Sequence, residues 1–118
     1  MKVAINTCFG GFNLSDKAFE LLLDRKGVEY EKVVSRYSGV MLYYEKGHAR
    51  DDNFFISHDD YYSDRADPDL IKVIEELGES ADGYASSLKI VNIPEDIEWH
   101  VYSYDGIEHV AENHRIWR

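Results

Sequence analysis

Cys8 and five histidines are what this 118-residue chain offers for thiol hydrolysis. That chemistry needs a base within hydrogen-bond reach of the thiol and a lowered thiol pKa. Cys8 stands shortly before a predicted helix start, the right neighbourhood for a thiolate. The spacing supplies no oxyanion donor or orienting partner, however, and free cysteines are among the most buried residues. Gly10 and Gly11 follow at the same strand-to-helix turn. Two glycines there let the backbone approach a ligand while the amides of the helix start face it, which is how phosphate is bound. The P-loop lysine and the third glycine of a dinucleotide fingerprint are missing, and Asp16 in the first helical turn opposes an anion. Two such glycines also serve backbone geometry alone. Phe12 beside them can stack on a base or anchor the turn.

A nucleotide site would draw its other groups from Arg65 and from His114, Arg115 and Trp117, since indole and guanidinium planes stack on bases. Arg65 stands among Asp59, Asp60, Asp64, Asp67 and Asp69. That setting equally describes an internal salt bridge or a helix-start network, given how readily arginine makes bidentate carboxylate pairs. Groups near a chain end also simply dock on the body. His58, Asp59 and Asp60 are adjacent rather than spaced on one face, so no metal ligand set and no cofactor are expected. Glu98, Glu108 and Glu112 fall on a predicted solvent-facing hairpin, where carboxylates are routine.

Charge is the concentrated feature. Between Asp51 and Asp82, eleven carboxylates stand against Arg65 and Lys72, which puts nine of the ten net negative charges in one window. Such a surface repels nucleic acid and attracts basic protein surfaces. Asp51, Asp52, Asp59, Asp60 and Asp64, with Tyr61 and Tyr62 and with Tyr43 and Tyr44 nearby, form a predicted protein-binding face. Tyrosine combines large contact area with low rotamer entropy, which is why interfaces favour it. The competing reading is a solvated loop whose tyrosines cover the sheet beneath.

The elements that position these groups read as α+β. Lys2 to Asn6 is a predicted strand, Cys8 to Asn13 a turn, and Asp16 to Lys26 a helix capped by Ser15 and closed by Gly27. Glu29 to Val34 and Gly39 to Tyr44 read as strands, and Asn53 to Ile56 as a short third one. A second helix is specified by Asp67 as cap, Pro68 at the first position, a stripe of Leu70, Val73, Ile74 and Leu77, and Gly78. Lys89 to Ile93 is a strand ended by Pro94. Glu98 to Tyr104 pairs with Ile107 to Glu112 through Asp105 and Gly106, which tolerate the positive φ of a type I′ turn. In that register Trp99, Val101 and Val110 share one face and His100, Tyr102 and His109 the other. The expectation is a single domain over residues 1–118: a mainly antiparallel sheet, two helices and a C-terminal hairpin closing a three-stranded meander.

At this length folding hides roughly two-thirds of the unfolded chain's surface. A hydrophobic content of 44%, with 14% aromatics, argues against disorder. One cysteine cannot form an internal disulfide, no segment reads as a signal peptide, and no apolar run approaches the roughly 18 residues that span a bilayer. A reducing cytoplasm is the expected compartment.

Ile5-Asn6-Thr7-Cys8-Phe9-Gly10-Gly11-Phe12-Asn13-Leu14-Ser15 at the start and Ala111-Glu112-Asn113-His114-Arg115-Ile116-Trp117 at the end resemble an uncharacterised family of small tailed-bacteriophage proteins. Asp64-Arg65-Ala66-Asp67-Pro68-Asp69-Leu70, Glu75-Glu76-Leu77-Gly78 and Leu88-Lys89-Ile90-Val91 are similar to the family's centre. The resemblance carries no catalytic residue. It implies a viral accessory protein acting in the host cytoplasm, where the usual roles are interference with host defence and host takeover. The first expectation is therefore a non-enzymatic protein whose acidic face binds and inhibits a host factor with a basic surface, such as a nuclease or CRISPR-type effector, by mimicking DNA phosphates. The second is sequestration of a signalling nucleotide by Cys8, Gly10, Gly11, Phe12, Arg65, His114, Arg115 and Trp117. The third is a Cys-His hydrolase. Direct nucleic-acid binding and membrane binding are not expected, and a homo-oligomer is compatible with the sequence.

Overall fold

Lys2-Val3-Ala4-Ile5-Asn6 puts four residues in a row out of solvent, as a strand covered on both faces requires. The computed structural model describes residues 1–112. In chain order its elements are β1 (Lys2–Asn6), α1 (Asp16–Arg25), β2 (Tyr30–Val34), β3 (Met41–Glu45), α2 (Asp59–Tyr62), α3 (Pro68–Leu77), β4 (Leu88–Asn92), β5 (Trp99–Tyr104) and β6 (Ile107–Glu112), with 3-10 turns at Asp52–Phe54 and Gly78–Ala81. The class is α+β, with three two-stranded antiparallel sheets: β1 with β4, β2 with β3, and β5 with β6.

Both long helices begin and end where their side chains dictate. The Ser15 side chain accepts the Ala18 amide at 3.1 Å and its hydroxyl donates to the Ser80 carbonyl at 2.7 Å, so the cap also fastens α1 to the turn after α3. Asp67 accepts the Asp69 amide, Pro68 starts α3 without needing a donor, and Gly78 closes it at φ +55°. α1 buries Ala18, Phe19, Leu22 and Leu23; α3 buries Leu70, Ile71, Val73 and Ile74. These two stripes make the centre of the core, which Ala4, Leu14, Tyr43, Ile56, Tyr62 and Ala81 complete.

The structure departs from the sequence expectations at three places. The strand Leu88–Asn92 ladders with β1, from Lys2 opposite Asn92 to Asn6 opposite Leu88, so the hairpin is not part of a three-stranded meander. Leu88 and Ile90 pack against the core, which holds β4 beside β1 rather than beside β5. Asn53 to Ile56 is not a strand: Asp51 caps a 3-10 turn by accepting the Asn53 amide, and pairing with β3 is reduced to a single bridge between Tyr44 and Phe55. One-turn α2 lacks the apolar period of a longer helix and was not predicted.

The hairpin has the expected register, with Val101 opposite Val110 and Tyr102 opposite His109, and Asp105 and Gly106 take φ +50° and +85°. Its tip meets the Gly10-Gly11 turn backbone to backbone. A Cβ on Gly106 would lie 2.5 Å from the Gly11 amide nitrogen and 2.7 Å from that of Gly10. Gly47, at φ +86°, faces open space. Gly47→Ala is therefore expected to cost only the left-handed backbone penalty of about 1–2 kcal/mol. Gly106→Ala adds an overpacking penalty of about 1–3 kcal/mol, and urea denaturation of the two variants measures the gap.

Candidate functional site

Arg65 and Glu108 are the most buried ion pair among the described residues. Nη1 reaches Oε1 at 2.6 Å and Nη2 reaches Oε2 at 3.0 Å, a bidentate fork in which the side chains are 17% and 7% exposed. Glu108 is thus buried rather than solvent-facing as the hairpin pattern predicts. Val110 and Glu108 share the hairpin face that turns inward, and Glu108 Oε1 also accepts the Asn6 amide at 2.8 Å. Arg65 Nε donates to the Tyr62 carbonyl at 2.9 Å, and the guanidinium carbon sits 3.8 Å above the centre of the Phe12 ring. Arg65 therefore does make an internal salt bridge, but with a partner far along the chain rather than with the aspartates around it.

Asn6, fully buried, completes this junction. Its amide nitrogen donates to the carbonyls of Cys8 (2.6 Å) and Gly106 (2.7 Å), and its amide oxygen accepts the Cys8 and Ser87 N–H groups. Cys8, Gly10, Gly11, Phe12 and Arg65 do come together, as the nucleotide reading requires. They converge on one another. The Arg65 fork is filled by Glu108, the Phe12 face by Arg65, and the space beside Gly10 by Ala85, while the backbone nitrogens of both glycines lie against Gly106. His114, Arg115 and Trp117 lie outside the described residues. Among the described residues no group of three or more His, Cys, Asp or Glu is arranged to hold a metal ion.

Of the eleven carboxylates in the acidic window, three are ion-paired among the described residues. Lys26 pairs with Asp67 at 2.6 Å and with Asp69 at 3.4 Å, Arg25 with Asp69 at 3.3 Å, and Lys2 with Glu75 at 2.7 Å. The Lys26 ammonium is held above its ordinary range chiefly by its hydrogen bond to Asp67. Asp51, Asp52, Asp59, Asp60 and Asp64 have no ion-pair partner among the described residues. Asp51 and Asp64 accept the backbone amides of Asn53 and Ala66, while Asp59 and Asp60 sit in the first turn of α2.

The tyrosines of this region mostly face inward, which corrects their predicted place on the binding face. Tyr43, Tyr44 and Tyr62 are buried and Tyr61 is half-buried. The Tyr62 hydroxyl accepts the Leu14 amide at 3.1 Å and lies 3.0 Å from His58 Nδ1, and its pKa is pushed up to about 12, mainly by burial. The Tyr43 hydroxyl donates to Glu20. His58 packs its ring 3.9 Å from that of Phe19; burial pulls it below the ordinary imidazole range against the upward pull of Asp16 and Asp59. The aromatic groups exposed nearby are Phe55 and Tyr84.

These two rings border a groove of about 690 Å³ that the sequence did not reveal. Leu14, Met41, Tyr43 and Ile56 lie at its apolar base, and Asp16, Asp59 and Asp82 line it as well. Its wall is assembled from four separate chain segments, so no local pattern carries it. Comparison with protein-family models, with curated proteins and with solved structures finds no match to this chain.

Removing either partner of the Arg65–Glu108 fork strands a charge in a poorly hydrated position. Glu108→Ala and Arg65→Ala are each expected to cost about 3–5 kcal/mol in urea denaturation, and the double variant much less than their sum. Losses under about 1 kcal/mol would mark the pair as energetically equivalent to a surface one.

His58 gives a pH dependence of definite sign. Its folded-state value lies below the unfolded one, so the unfolded chain takes up the proton first as pH falls. Stability should decline as pH drops below about 6.5. Urea melts at pH 7 and pH 5 should show a smaller decline in His58→Gln.

Proposed function

We propose that this chain is a non-enzymatic binding protein that occupies a basic surface of a partner protein through Asp51, Asp52, Asp59, Asp60 and Asp64. One observation carries the reading: these five carboxylates have no ion-pair partner among the described residues, whereas Asp67, Asp69 and Glu75 are paired with Lys26, Arg25 and Lys2. A carboxylate left in water keeps its charge available to a partner, and a field of several like charges steers a basic surface into contact before any close packing forms. Short-range contact would come from exposed Phe55 and Tyr84 and from the outer part of Tyr61, since Tyr62 is buried.

The bacteriophage resemblance supplies the kind of partner: a host defence protein whose nucleic-acid groove is basic, such as a nuclease or CRISPR-type effector. Carboxylates presented to such a groove replace phosphates and exclude the nucleic acid. Capture from a host lysate, followed by titration of the purified pair, tests this. The affinity is expected to fall at least about tenfold between low and roughly 0.5 M salt, because exposed charges are screened over a few ångströms there. Changing the five aspartates to asparagine should cause a similar loss. Equal affinity at both salt concentrations would overturn the reading.

A further inference from the structure

One wall of the groove is the outer edge of β3, which is only partly paired. In an antiparallel pair, alternate residues direct their N–H and C=O away from the partner strand. Two hydrogen bonds fix the phase along β3. Ser35 N–H donates to the Val40 carbonyl at 2.8 Å, continuing the ladder with β2, and Ile56 N–H donates to the Tyr43 carbonyl at 2.9 Å from the opposite side. Tyr43 therefore faces outward, and so does Met41, two residues before it. Phe55 and Ile56 cover the edge opposite Tyr44 and Tyr43. Opposite Met41 the edge is open, because the chain turns away after Ser57 to begin α2. Neither the amide nor the carbonyl of Met41 on that side has a backbone partner among the described residues.

The surroundings of this open edge define what fits it. Leu14 and Ile56 are buried at the groove's base, while Val40, Phe55 and Tyr84 are 55%, 45% and 91% exposed around it. Its volume, about 690 Å³, suits several side chains. Asp16, Asp59 and Asp82 line it without an ion-pair partner among the described residues, and no lysine or arginine lines it. Unpaired backbone groups select an extended segment, the apolar base selects aliphatic or aromatic side chains at alternate positions, and the carboxylates select lysine and arginine between them.

We infer that the groove receives an extended basic peptide segment of a partner protein, which adds as a strand to the open edge of β3 at Met41. Its apolar side chains cover Leu14 and Ile56, and its basic ones meet Asp16, Asp59 and Asp82. This rests on the acidic-face reading above and names the part of the partner that is gripped.

The test uses the full chain and the synthetic peptide acetyl-Lys-Leu-Arg-Val-Lys-Leu-Arg-amide. Three controls accompany it: one with glycine in place of leucine and valine, one N-methylated at alternate amides, and one with glutamate in place of the basic residues. Calorimetry should give one-to-one binding, and NMR should show the Met41 amide shifting and exchanging more slowly. Each control should bind at least about tenfold more weakly, a loss of about 1.4 kcal/mol. Val40→Lys, a change at an exposed rim position, should weaken binding as much without altering the melting temperature. The inference fails if the peptide does not bind, if the glycine or N-methylated control binds equally well, or if the Met41 amide is unmoved. It also fails if the free protein is a dimer with that amide already protected, since a second copy then occupies the edge. Failure of the peptide while the five-asparagine variant still loses its partner removes the groove alone. Peptide binding beside a salt-insensitive partner removes the acidic-face reading alone.

Discussion

A guanidinium and a carboxylate largely shielded from bulk water hold three parts of this fold in one place. Arg65 lies between α2 and α3, Glu108 on the last strand, and the Glu108 carboxylate reaches past Arg65 to the Asn6 amide at the end of β1. Arg65 returns the connection through its own carbonyl, which accepts the Ala4 amide at 2.8 Å. The edge of β1 that faces away from β4 is thus satisfied by a loop carbonyl and a side chain. A buried pair of this kind is weak evidence for net stability, because both ions lose hydration. Its effect is on arrangement: the hairpin can sit at only one height along β1, with Gly106 against Gly10 and Gly11.

How much of this was readable in the sequence depends on the range of the interaction. The two long helices and the hairpin were legible nearly to the residue, because Ser15, Asp67, Pro68, Gly78, Asp105 and Gly106 act on their own neighbours through capping bonds and permitted φ values. The pairing of β1 with β4 was not, since nothing local to Leu88–Asn92 states that its ladder partner lies at the other end of the chain. Glu108 was misread for the same reason: on a hairpin with alternating polarity a glutamate looks solvated until a cation from a distant segment is placed opposite it. The candidate groove was invisible because its lining comes from four segments that no period connects. The acidic window was visible as composition. Its division into paired and unpaired acids required knowing where Lys2, Arg25 and Lys26 arrive.

That division changes what the net charge means. Cations from α1 and from the start of β1 settle on Asp67, Asp69 and Glu75, and in doing so they tie α1 to α3 and α3 to β1. Asp51, Asp52, Asp59, Asp60 and Asp64 instead fall where the Asp52–Phe54 turn and α2 follow β3, while Glu76, Glu79 and Asp82, also without an ion-pair partner among the described residues, lie in the last turn of α3 and just after it. One region thus spends its acids on holding helices together and another leaves them in water. Beneath the second, His58 and Tyr62 fill the space between α2 and the Phe19 ring, so the exposed turn rests on a floor of aromatic contacts.

The hydrogen bond between Asn6 and Glu108 spans 102 positions of sequence. On a ribosome, β1 emerges long before the residue that satisfies its edge has been made. Until Glu108 is made, the nascent chain carries a strand with an unmet amide and an arginine that lacks its counter-ion, the kind of exposed edge that pairs with the wrong neighbour. Prompt synthesis of β6, or a chaperone resting on β1 until it appears, would keep that edge from pairing wrongly.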